Sequence, residues 1–456
     1  MSNNEIEAAL EQLAELLASP PSHHLSSDHF QQRSHVENEV IIDINKMIQD
    51  CGDDLLSSEC CIYRVPYIIR HLKKEAYTPQ FVSIGPFHHG NKSLQYMERS
   101  KQKFFKRFTQ RAKSSWQGLV PFVNNLVPNV RASYSETINL TQQELVKLIL
   151  MDAGFIIELF ISCYNETFGP SNNDKLSQQW LDHSIREDLL LIENQLPFFI
   201  IEELFNKASL KNHDGTRLPP FLELAYHYFR YYNVQLLEPK PQVEVKHFTH
   251  LIRLFYLRDK MPKRDSFCNE RSHILSYNAN ALQEAGIKLK PSEDKCFLNL
   301  KLSGHKTLEI PHVSVDACAA LVFRNVIAFE RCHCPHEAYI TDYALLLDLL
   351  IDTSKDVDLL VKKKIVNHYL GDSHKVASLV NGLWVNVGQS KFNSEYRDIC
   401  KGLNDFCGDS CMRRKATLRR DYCNTPWRTV ASVAGSILLV LTIVQTIFSI
   451  LQVVLI

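Results

Sequence analysis

From Thr429 to Ile456 the chain runs for 28 residues without a charged side chain, and 17 of them are Leu, Ile, Val or Phe. As a helix this run is about 42 Å long, against about 30 Å for the hydrocarbon core of a bilayer. Each large aliphatic residue near the bilayer centre favours insertion by about 0.3–0.6 kcal/mol, so the run supplies about 5–10 kcal/mol. A buried core helix seldom goes so far without a charge. The run therefore predicts a transmembrane helix over Thr429 to Ile456. Trp427 stands where an interfacial aromatic belongs, and Arg413, Arg414, Lys415, Arg419, Arg420 and Arg428 precede the run. By the positive-inside rule that flank stays cytosolic, and the large domain with it. A span so close to the C-terminus is expected to insert after translation, as a single-pass tail anchor.

Charge sorts the remaining classes. Formal net charge is zero, but the segment from Met412 to Arg428 holds six basic residues and one acid, leaving 45 basic and 50 acidic residues elsewhere. A nucleic-acid-binding domain needs a broad basic face, which this mildly acidic body lacks, so nucleic acid is not an expected partner. Met1 to Pro20 has no basic stretch followed by an apolar one, hence no secretory signal. Thirteen cysteines in 456 residues fall short of a disulfide scaffold and are expected as free thiols facing the cytosol.

The body reads as mainly α with small β insertions. Residues 1–35 form a short amphipathic helix, started by a capping box at Asn4 and Glu7, and a Pro/Ser-rich linker. A large helical domain follows over 36–410, then a basic juxtamembrane segment over 411–428. Helices are expected over Glu37–Gln49, Ser93–Arg111, Thr141–Phe160, Ser272–Ala285, Asp316–Glu330, Tyr343–Ile351 and Ser354–Leu370. Prolines and β-branched residues keep Tyr77–Gly90 extended. Within Asp188–Phe205, Pro197 belongs in the first turn of a new helix. Glu193, Asn194 and Gln195 then mark a junction of two buried helices, where each polar group must be hydrogen-bonded. Alternation over Phe297–Leu302, Gly304 as a turn, and Thr307–Val315 predict a hairpin near 297–315.

No catalytic signature stands out. Cys332, Cys334 and His336 are weak metal candidates, since structural zinc draws ligand pairs from two elements and no second pair is evident. The adjacent His88 and His89 point to opposite sides of an extended segment and do not share an ion. Cys423, close to the anchor, is a candidate for palmitoylation. Ala431 with Gly435, and Ser432 with Ser436, form small-residue pairs through which two anchors could pack.

Several segments occur together in a recognisable order: IYRVP, AYTPQFVSIGPFHHG followed by MERSK, DLLLIENQLPFFIIEELF, LEIPHVSVDACAALVFRNVIAFE, and the apolar C-terminus. In this the chain resembles the plant-specific "domain of unknown function 247" family, also called uncharacterised protein family 0481, from about Cys61 to Ile456. The resemblance implies a mostly helical plant membrane protein with no assigned reaction. Some grass members are implicated as male determinants of self-incompatibility, which implies recognition of other proteins. The family supplies no catalytic residues to carry over. The expectation is a non-enzymatic recognition or signalling protein without cofactor, whose partners are membrane lipid and other proteins, as a homo- or hetero-oligomer. A plasma membrane location with a cytosolic domain is expected; an endoplasmic reticulum membrane or an outward-facing domain is the alternative. The rival function is a membrane-tethered hydrolase or transferase using an unrecognised site.

Overall fold

In the computed structural model, residues 39–47, 57–112, 116–168, 179–212, 215–240, 242–266, 274–304, 306–385, 391–408 and 426–454 are described. The Asn4 capping box, the linker, five of the six basic flanking residues (Arg413, Arg414, Lys415, Arg419, Arg420) and Cys423 lie outside them. Two compact units divide after Ser58. In the first, residues 39–47 are helical with exposed side chains, inside the helix expected over Glu37–Gln49.

The second unit is built around helix Gln142–Phe168, which is apolar on most faces and packs against helices Gln95–Arg111, Leu119–Ala132, Phe198–Ala208 and Phe221–Tyr228. At its centre the Phe160 ring lies 4.4 Å from Tyr228, 5.4 Å from Phe248 and 5.7 Å from Phe221, centroid to centroid. Helices Phe248–Tyr256, Ala317–His333, Tyr339–Leu350, Ser354–Lys362 and Ser373–Trp384 extend the same core. Two fully desolvated ion pairs lock this part. Arg253 meets Glu330 at 2.9 Å, and Arg264 makes a fork of 2.7 and 2.9 Å on Asp342.

The mainly α reading holds, with small sheets. Lys301–Ser303 pairs antiparallel with Thr307–Pro311 across Gly304, whose φ of 58° suits the turn. Two details differ from expectation. Phe297–Leu300 is not strand, and the second arm breaks at His312, after which Val313–Val315 pairs in parallel with Val366–His368. Thr307–Pro311 takes a parallel partner of its own in Lys288–Ser292. Side-chain and glycine caps bound several helices. Asp316 and Asp372 accept first-turn N–H groups, and Gly286 closes Ala279–Ala285 at φ 105°. That helix starts later than Ser272, because Asn278 is its N-cap.

The C-terminal helix runs from Pro426 to Val454, with an apolar stretch, Val430–Gln452, long enough to cross a bilayer. None of that stretch is buried by protein. Its hydroxyls turn inward: Ser436, Thr442, Thr446 and Ser449 each donate to the carbonyl four residues back, at 2.7–2.9 Å. That pairing removes the donors that hydrocarbon would leave unsatisfied.

Candidate functional site

One group of buried polar side chains gathers around the end of helix Gln179–Asp188. Helix Gln179–Asp188 ends at Asp188, and the next nine residues turn rather than continue the helix. Asn194 causes the break: its Nδ2 donates to the carbonyls of Asp188 (3.0 Å) and Val82 (2.9 Å), and its Oδ1 accepts from Ile84 N–H (2.8 Å). Gln195 Nε2 donates to the carbonyls of Leu189 and Leu191, while its Oε1 accepts from Phe248 N–H, the first residue of the next helix but two. Pro197 is the N-cap of helix Phe198–Ala208, one residue ahead of the expected first turn.

The Tyr77–Gly90 segment is held by these side chains. Asp188 accepts the N–H groups of Gln80, Phe81 and Val82 at 2.6–3.2 Å. Asp152 accepts Gly85 N–H at 2.9 Å and binds Lys101, which donates to Ser83 O. Gly85 has φ 72°, and a Cβ there would stand 2.2 Å from Gln195 O, so only glycine fits. Glu193 carries no exposed side-chain surface and collects three donors, Val65 N–H (2.9 Å), Arg70 (2.6 Å) and Arg64 (3.2 Å), with His88 Nε2 standing 3.4 Å away. Burial raises the Glu193 pKa, yet the contacts with His88, Val65 N–H, Arg70 and Arg64 together hold it below the usual carboxylate range. Burial outweighs the three N–H donors at Asp188 and pushes its carboxyl up to about 6. The Glu193-Asn194-Gln195 group is thus a structural clasp, as its sequence required. His88 belongs to the clasp, while His89 is exposed.

Beside the clasp opens a cleft of about 520 Å³, formed where helices Phe198–Ala208 and Phe221–Tyr228 begin and where the loop before His247 passes. Glu59, Glu202, Glu223, Glu244 and Lys246 supply its charge, and Cys61 and Phe198 its floor. Burial pushes the Cys61 thiol up to about 12, too high for a resting thiolate. Lys246 is paired with Glu244 at 2.6 Å. The lining is acidic.

A family model described as a plant protein of unknown function matches residues 62–441. The chain belongs to this family. Similar to it are a UPF0481 protein of Arabidopsis thaliana, 28% identical over 86% of the chain and 87% of the relative, and a putative UPF0481 protein of the same plant, 20% identical over 86% and 90%. No solved structure matches it significantly. Three of the motifs that carry the resemblance form the two halves of the clasp: IYRVP and SIGPFHHG on one side, DLLLIENQLP on the other. What the sequence withheld was their mutual partnership, together with Asp152 and Lys101.

The metal candidates are not brought together as a set. Cys332 and Cys334 border a small apolar cluster containing Tyr63 and Phe329, and burial lifts their thiols to about 11 and about 12. His336 is exposed on the turn Pro335–Glu337. Between them, His333 faces the Tyr63 hydroxyl at 3.1 Å.

His247 adds a pH dependence to the fold. It is fully buried; its Nδ1 accepts from His250 N–H, so Nε2 carries the proton toward Cys61 O at 3.1 Å. Burial, aided by His333, lowers its pKa to about 3. An unfolded histidine titrates near 6.5, so the stability that His247 contributes is present above that pH and is lost on acidification toward 3. At pH 5 the loss is about 2 kcal/mol. Asp188 and Asp342, both raised to about 6, act with the opposite sign between about 4 and 6, stabilising the fold as they take up protons. His247→Asn keeps a capping side chain, and the midpoint of unfolding should then fall less between pH 7.5 and 5 than in the parent. Parallel falls in the two proteins would refute a role for His247.

Proposed function

We propose that this protein is a tail-anchored recognition component that presents its helical body on the cytosolic face of a membrane, most naturally the plasma membrane, and binds protein rather than turning over substrate. The observation that carries the reading is the bare apolar helix at the C-terminus, whose stretch Val430–Gln452 is long enough to cross a bilayer and is not buried by protein. The basic residues before it favour anionic lipid by about 1 kcal/mol each and orient the body. The cleft adds support, because its four carboxylates suit a basic segment of a partner and its thiol is poorly suited to attack. Glu223 stands in the first turn of helix Phe221–Tyr228 and Glu202 one turn into helix Phe198–Ala208; both line the cleft and can be reversed without touching the clasp.

Crosslinking in intact membranes followed by mass spectrometry tests this reading. Wild-type protein should give a reproducible partner whose crosslinks map beside the cleft. Glu202→Lys with Glu223→Lys should reduce their yield about tenfold or more, consistent with like-charge repulsion of several kcal/mol, and leave membrane retention intact. Undiminished crosslinks in the double variant would dismiss the cleft as the recognition surface.

A further inference from the structure

One cluster lies apart from both the clasp and the cleft. His183 and Glu187 are four residues apart on helix Gln179–Asp188, so their side chains share a face, and His183 Nε2 stands 3.4 Å from Glu187 Oε1. Cys318, in the first turn of helix Ala317–His333, brings its sulfur to the same point. The three donor atoms lie within 4.8 Å of one another. Nitrogen and oxygen ligands each about 2.0 Å from a tetrahedral ion stand about 3.3 Å apart, and a sulfur at about 2.3 Å lies about 3.5 Å from either. The observed spacing is within a side-chain adjustment of that.

The surroundings suit an ion. Cys318 is 6% exposed while His183 is about half exposed, so the cluster is closed on the sulfur side and open to solvent on the imidazole side. The Tyr232 hydroxyl lies 3.2 Å from the Cys318 sulfur, where it can donate to a coordinated thiolate, as outer groups do at metal centres. The sulfur also sits in the first turn of a 17-residue helix, where the backbone dipole favours negative charge.

We propose that His183, Glu187 and Cys318 form a zinc-binding site with a fourth position open to water or to a partner's side chain. A thiolate, a carboxylate and a neutral imidazole balance the two positive charges of the ion, and this mixed soft and borderline set selects zinc over calcium or magnesium. On binding, the Cys318 thiol gives its proton to solvent and the sulfur lone pair goes to the metal; nothing is oxidised or reduced. The ion ties the helix that feeds the clasp to the helix carrying Glu330.

The test uses the full chain in detergent micelles, stripped of metal and titrated with Co(II) and then Zn(II). One cobalt per chain should give a thiolate-to-metal charge-transfer band in the near ultraviolet, which zinc displaces. Cys318→Ser should abolish the band. His183→Gln, an exposed change that leaves folding alone, should weaken cobalt affinity about tenfold or more, and Tyr232→Phe about tenfold. Cys332→Ser and Cys334→Ser should leave the band unchanged. The proposal is overturned by the absence of a band in the parent, by its survival in Cys318→Ser, or by unaltered affinity in His183→Gln.

Discussion

Washed in alkaline carbonate, vesicles carrying the full chain should retain it in the pellet, and a chain ending at Asp409 should leave with the supernatant. This contrast should be all or nothing. Valine, leucine, isoleucine and phenylalanine side chains along Val430–Gln452 are from 42% to 67% exposed, which water would not tolerate over such an area and lipid would. The backbone is satisfied within the helix, and so are four of the hydroxyls. A single Leu441→Arg, near the middle of the span, should cost about 2.5–3.5 kcal/mol of insertion and shift part of the protein to the soluble fraction. Release of the unmodified chain by carbonate would mean that protein, not lipid, covers this helix.

Replacing Glu193 by alanine should cost about 3–5 kcal/mol, because the change strands two guanidinium groups and a buried backbone N–H around an empty position. The control is close at hand. Glu136, which also touches Arg64 but is 54% exposed, should cost no more than about 1 kcal/mol when removed. Glu193→Gln retains the volume and one acceptor oxygen, so its loss should fall between the two. Denaturant titration of all three variants in the same micelles would rank them. Equal stability of Glu193→Ala and Glu136→Ala would show that the clasp is dispensable.

Legibility of the fold varied with the range of the interactions. Helix Gln142–Phe168 and the anchor were visible because apolar periodicity and length are properties of a local window. The helix expected from Asp316 was visible for the same reason, although Asp316 proves to be its cap rather than its first residue. The helix expected over Ser354–Leu370 instead stops at Lys362. Lys364 takes φ 59°, and Val366–His368 pairs in parallel with Val313–Val315, a partnership that no local pattern announces. In the same way, Leu189–Ile192 looked helical until Asn194 and Gln195 were seen to take over its carbonyls. The polar junction was placed correctly because a polar triplet inside an apolar run has to be satisfied somewhere. Its partners were not legible, since Asp188, Asp152 and Arg64 look like ordinary surface charges when read alone. Of the proposed zinc ligands, the four-residue spacing of His183 and Glu187 is a visible signal, but nothing in the sequence brings Cys318 to it.

The clasp also imposes a timetable on synthesis. Gln80 must wait 108 residues for the Asp188 carboxylate that holds it, about 5–20 s at ordinary elongation rates. Asn325, which receives Ile192 N–H and donates to Ala76 O, arrives 249 residues after Ala76, a delay of about 12–50 s. Through that interval the signature segments leave the ribosome with their backbone groups unclaimed, dependent on whatever shields nascent chains. The body is therefore completed late, only shortly before the greasy terminus emerges and needs an escort of its own.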